Sequence, residues 1–245
     1  MRVGVDGVLV GAWACRPGAA APGRVLDVGT GCGLIALICA QRYPDARISA
    51  IDIHPDSVEE AAGNFGRSPW ADRLEVKTLD FAELANPDSS DLSESSDCSD
   101  SSENLPFDLI VSNPPFFDSG IDNPDSPRLT ARHQSGLTLR DILRISATQL
   151  SPQGRLVMIF PAEFAADLAA YAECVGMSMS DFCEVRGHAS APVKRVIAEF
   201  TPRPSSLAPS FSSLVPRPSS LTLESSPGVP TPDYRSLCGD LYLKF

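Results

Sequence analysis

Short apolar runs alternate along this chain with longer stretches in which apolar positions recur every three or four residues. The segments Arg24–Val28, Arg47–Ile51, Leu74–Thr78 and Phe107–Ser112 are too short for helices and carry β-branched residues, which predicts strands. Between and after them, Leu34–Arg42, Asp56–Phe65, Leu139–Leu150 and Glu163–Val175 have helical spacing. A turn at Pro152-Gln153-Gly154 sets off a strand over Arg155–Phe160, and two more strands, Met177–Val185 and Val193–Phe200, close the series. Such alternation predicts an α/β fold, a doubly wound and mostly parallel sheet that binds ligands at the carboxyl ends of its strands.

Two stretches break the pattern. Between Asn86 and Asn104 lie six acids, many serines and no base, a composition that cannot bury a core and predicts a disordered acidic surface insert. A Pro/Ser-rich insert over about 202–220 contains Pro202-Arg203-Pro204-Ser205-Ser206-Leu207, repeated as Pro216-Arg217-Pro218-Ser219-Ser220-Leu221. The low-complexity character continues to Pro232, and so many prolines withhold backbone donors that the whole stretch is expected to project as an extended or mobile loop between two late strands. The rest of the 245 residues, 43% hydrophobic overall, suffices for a single domain.

Candidate chemistry sits at two predicted strand ends. After Phe107–Ser112 comes Asn113-Pro114-Pro115-Phe116. The Asn113 carboxamide oxygen and the Pro114 carbonyl could each accept a proton of a planar amine, with Phe116 stacked on its ring. The two prolines restrict the backbone that carries those acceptors. A plain Pro-Pro turn explains the tetrapeptide equally well in isolation. After Arg24–Val28, however, comes Gly29-Thr30-Gly31-Cys32-Gly33 and then a helix, so the backbone can turn tightly and approach a ligand. Asp52, about twenty residues further on at the end of the next strand, suits the hydroxyls of a ribose. The G-x-G-x-G spacing differs from the G-x-G-x-x-G of most dinucleotide folds and disfavours a nicotinamide oxidoreductase.

Glycine loop, acid and amine clamp in this order resemble the class I S-adenosylmethionine-dependent methyltransferases. The opening Arg2–Trp13, Ser68-Pro69-Trp70, Asn113–Phe117, Ala131-Arg132-His133 and the final Leu241–Phe245 are similar, more narrowly, to the bacterial tRNA1(Val) adenine-37 N6-methyltransferases. That resemblance implies a Rossmann-like sheet of seven strands, the last antiparallel, with S-adenosylmethionine as cofactor and tRNA as substrate. It implies cofactor contacts from Asp27, near the methionine amino group, and from Gly29, Thr30, Gly31, Gly33, Asp52, Ile53, Asp80, Phe81 and Asn113. Asp80 reads equally as the cap of a following helix. Asn113, Pro114, Pro115 and Phe116 would form the catalytic clamp, and Arg128, Arg132 and His133, with Arg140 nearby, would meet the RNA backbone. Because a sulfonium methyl is already electrophilic, no metal is implied. The family also carries an aromatic-rich hairpin ahead of the position held here by Met1, so a chain that starts there is expected to lose cofactor affinity first.

Charge and cysteines complete the expectations. A net charge of −11 argues against a nucleic-acid partner, but the acidic insert holds more than half of it. Seven scattered cysteines without a C-x-x-C pair read as reduced thiols of a cytoplasmic protein, neither a disulfide frame nor a metal site. No apolar run approaches membrane-spanning length, the N-terminus lacks the core of a secretory signal, and a monomer is expected. Two alternatives use the same features: amino methylation elsewhere, at a guanine N2 of ribosomal RNA or a protein glutamine N5, and a catalytically silent methyltransferase-fold binding module.

Overall fold

The computed structural model describes residues 4–85, 105–114, 137–203, 216 and 218–242. The acidic insert 86–104 and most of the Pro/Ser-rich insert lie outside them, as do Pro115, Phe116, Arg128, Arg132 and His133. In chain order the main elements are α1 (Val5–Ala14), β1 (Arg24–Val28), α2 (Leu34–Arg42), β2 (Arg47–Asp52), α3 (Pro55–Gly66), β3 (Leu74–Thr78) and β4 (Phe107–Ser112). There follow α4 (Leu139–Gln149), β5 (Leu150–Pro161), α5 (Ala165–Cys174), β6 (Met177–His188), β7 (Arg195–Pro202), β8 (Ser219–Ser226), β9 (Val229–Pro230) and α6 (Pro232–Cys238).

Among the described residues one nine-stranded sheet runs in the order β3-β2-β1-β4-β5-β7-β6-β8-β9. The first five of these are parallel, and β7 is antiparallel to both its neighbours. Strand order reverses at β1, where β2 lies on one side and β4 on the other, so a crevice opens beyond Val28 and Ser112. Strand side chains alternate between two cores, as a period of two requires. Val25, Leu109, Val111, Val157 and Ile159 face α1, α2, α3 and α6, whereas Leu26, Ile110, Leu156, Met158 and Phe160 face α4 and α5.

Three expectations need correction. The sheet has nine strands rather than seven, because β8 pairs parallel with β6 and β9 folds back on β8. The second repeat copy therefore enters the sheet at Ser219 instead of projecting as a loop; backbone pairing does not ask for apolar side chains, and only Leu221 of β8 is buried. Pro152-Gln153-Gly154 is not a break before a strand but a bulge inside β5, where a Cβ on Gly154 would stand 2.7 Å from the Phe107 carbonyl oxygen. No helix among the described residues is long and apolar enough to cross a membrane.

Candidate active site

The glycine loop is held by β2 rather than by its own turns alone. The Gly29 and Thr30 amides both donate to the Ile51 carbonyl at 3.0 Å, and the Gly31 amide donates to Asp52 Oδ2 at 2.9 Å. Gly29, Gly31 and Gly33 have φ of 72°, 57° and 83°, the left-handed region that disfavours every residue with a Cβ. With these amides engaged, the loop can offer a ligand close backbone approach more than free donors. At Gly33 a Cβ would also stand 2.5 Å from Phe65 Cε1 in the core between α2 and α3. Gly33→Ala should therefore cost about 2 kcal/mol or more of stability, from combined strain and overpacking. Urea denaturation measures this, and an unchanged midpoint would contradict it.

Two acids flank the loop. Asp27 is fully buried on β1; its Oδ2 accepts from Thr30 Oγ1 at 2.6 Å and from the Ala36 amide, in the first turn of α2, at 3.1 Å. Its Oδ1 is buried with no hydrogen-bond partner. Burial raises the carboxyl from 3.8 to about 6, against the lowering effect of the Thr30 and Ala36 bonds. An orphaned acceptor of this kind suits a cation. Asp52, 8% exposed, brackets the loop: besides Gly31, its Oδ1 accepts from the His54 amide at 3.0 Å. Sequence reasoning missed this bracing role, because nothing in the residue type distinguishes it from ribose binding. Each oxygen keeps a second lone pair for a ligand. Asp52→Ala should weaken cofactor binding about 10- to 100-fold, and Asp52→Asn should not restore it, since an amide places a donor opposite one of two N–H groups. Calorimetric titration of both variants is the check; recovery in the asparagine variant would disprove the bracket.

The remaining predicted residues divide. Ile53 stands 51% exposed beside Asp52, an apolar surface at the crevice rim. Asp80 caps a 3-10 turn over Phe81–Ala85, its Oδ1 accepting from the Ala82 amide at 2.9 Å. Phe81 is buried in the core on the α4 side. Arg140 forms an ion pair with Asp167 and stacks over Tyr171, so it braces α4 against α5. Asn113 follows directly on Ser112, whose Oγ donates to the Val28 carbonyl at 2.9 Å. Val28 and Ser112 are partners in register, which puts Asn113 beside Gly29, about 5 Å away across one strand spacing. Asn113 is half-buried and Pro114 buried.

Similarity to known proteins decides the family. Residues 16–169 match the methyltransferase small domain model. The tRNA1(Val) (adenine(37)-N6)-methyltransferase of Porphyromonas gingivalis is 40% identical over 208 residues, which is 84% of this chain and 77% of that one. This chain belongs to the tRNA1(Val) (adenine(37)-N6)-methyltransferase family. A further relative of that name, from Vibrio parahaemolyticus, is 36% identical over 83% of this chain and 77% of its own. Among solved structures, a predicted O-methyltransferase from Agrobacterium tumefaciens superposes with a TM-score of 0.64 at 16% identity over 96% of both chains. The mitomycin 7-O-methyltransferase does so at 0.53 and 19% identity, over 81% of this chain and 54% of that one. At such identities the likeness establishes the methyltransferase fold. In this member of the family the paired ends of β1 and β4 bring the glycine loop and Asn113 to one crevice.

Proposed function

We propose that the protein methylates N6 of an adenine in tRNA, at position 37 of tRNA1(Val), with S-adenosylmethionine as donor. The observation that supports this most is the Val28–Ser112 pairing, which brings a glycine loop and an amine-accepting asparagine to adjacent strand ends. The donor, when bound, supplies an electrophilic methyl group on a sulfonium. Its amino-acid ammonium fits the partnerless Asp27 Oδ1, with Thr30 holding the opposite oxygen. The loop glycines permit close approach of its chain, Asp52 retains lone pairs for ribose hydroxyls, Ile53 offers an apolar face to its adenine, and the outer oxygen of Asp80 suits that ring's amine.

The substrate amine is a weak nucleophile because its lone pair is delocalised into the base. Asn113 Oδ1 and the Pro114 carbonyl accept hydrogen bonds from its two N–H groups, which fixes the NH2 plane and turns the nitrogen toward the donor crevice. Pro115 stiffens the clamp and Phe116 stacks on the base. Alignment and exclusion of water carry most of the rate, and no strong base is required at the attacking nitrogen. Arg128, Arg132 and His133 follow the clamp in sequence and supply charge for the RNA backbone.

Nucleoside mass spectrometry of tRNA1(Val), from cells with and without this gene and from reactions of the purified protein with labelled donor, tests the reading. N6-methyladenosine at position 37 should vanish on deletion and return in the purified reaction. Label recovered in protein amides alone, or in no acceptor, would overturn it.

A further inference from the structure

Helix α1 was not foreseen from the sequence, and its first turn lies against the clamp. A Cβ on Gly7 would stand 3.8 Å from Asn113 Nδ2, an ordinary contact distance, and 3.3 Å from Leu34 Cδ2, so the first turn of α1 faces the carboxamide about one methyl group away. Glycine inside a helix costs about 1 kcal/mol relative to alanine, and here the tight neighbour of the missing Cβ is Leu34. The half-buried Asn113 carboxamide makes no hydrogen bond among the described residues, and the first turn of α1 is its neighbour. That turn is anchored from outside. Asp6 Oδ2 lies 2.5 Å from Arg195 Nε, with the two side chains 23% and 42% exposed. Arg195 opens β7 in register with Pro161 at the carboxyl end of β5. The pair therefore ties α1 to the same sheet edge that carries Asn113.

We propose that Asp6 and Arg195 are positioning residues for the methyl acceptor: their ion pair pins the first turn of α1, which borders the Asn113 carboxamide. The inference rests on the reading of Asn113 as the amine acceptor. It differs from a plain stabilising role because the rest of α1 is held independently. Leu9, Val10, Ala12 and Trp13 are all in the core, and Arg16 stacks 3.7 Å from the Trp13 ring centroid. Loss of the pair should loosen the turn without releasing the helix.

Side-chain amide and indole NMR spectra of the full chain decide this without reference to activity. The Asn113 NH2 resonances are identified by their loss in Asn113→Asp. In Asp6→Ala they should shift or broaden while the Trp13 indole N–H stays in place. With tRNA as substrate, Asp6→Ala should lower kcat about tenfold with cofactor Kd held within about twofold, and the reversed pair, Asp6→Arg with Arg195→Asp, should recover most of the loss. Asn113 resonances unmoved in Asp6→Ala would overturn the proposal, as would an equal displacement of the Trp13 signal. A wild-type protein that leaves RNA adenines unmodified would instead defeat the functional reading, and the NMR result would still decide the positioning role.

Discussion

Asn113→Ala is expected to lower turnover about 100- to 1000-fold while leaving cofactor affinity within about twofold. The side chain is half-buried at the end of β4 and makes no hydrogen bond among the described residues. Its removal therefore leaves no buried polar group stranded, and little stability should be lost. What disappears is an acceptor for an amine proton, engaged only when substrate is present and most strongly as the nitrogen attacks. Single-turnover rates at saturating cofactor, beside calorimetric titration of the cofactor, separate the two effects. Equal losses in both measurements would assign Asn113 to cofactor binding instead.

Asp27→Asn should produce the second large effect, and its signature depends on pH. The wild-type carboxyl moves from 3.8 in the unfolded chain to about 6 in the fold, mainly because burial disfavours its charge. The folded state thus binds the extra proton between those values, and stability falls as pH rises from about 4 to about 6, by about 3 kcal/mol in all. Above that range the penalty is constant. An asparagine cannot ionise, and its oxygen can keep the Thr30 and Ala36 bonds. Its NH2 takes the place of an unpartnered oxygen and costs about 1–3 kcal/mol at every pH. The variant should therefore be the weaker protein near pH 4 and gain about 3 kcal/mol on the wild type by pH 7, read from paired urea titrations without cofactor. The same change removes the partner for an ammonium, so cofactor affinity should fall about 10- to 100-fold. A stability difference that is flat with pH would show that Asp27 stays ionised throughout.

The parts of this molecule that were legible in its sequence are those where side-chain pattern and backbone role coincide. β1, β2 and β4 are short runs with buried apolar residues and β3 alternates apolar with polar, and the loop after β1 needs glycine at three left-handed positions, so residue type reports conformation there. Helix α1 escaped because every residue from Gly7 to Ala14 is buried, which leaves no polar face to mark a helical period. The β8 and β9 segment escaped for the opposite reason: its place in the sheet is secured by backbone pairing, and its polar side chains resemble a loop. The Asp52 bracket and the Asp6–Arg195 pair join residues far apart in the chain, and no local spacing announces such contacts. Arg128, Arg132 and His133, proposed to meet the RNA backbone, lie outside the described residues.

The outermost rungs of the sheet carry a consequence for solubility. An unprotected margin beyond β8 would be a template on which another molecule could add a strand. Here Thr231 takes the Thr222 carbonyl with its hydroxyl and the Leu223 carbonyl with its amide, and Ser225 Oγ occupies the Val229 carbonyl. Pro230, in the last position of β9, has no N–H to offer. Much of that border is therefore closed to edge-to-edge aggregation, by a threonine, a serine and a proline drawn from a tract whose composition looks unstructured.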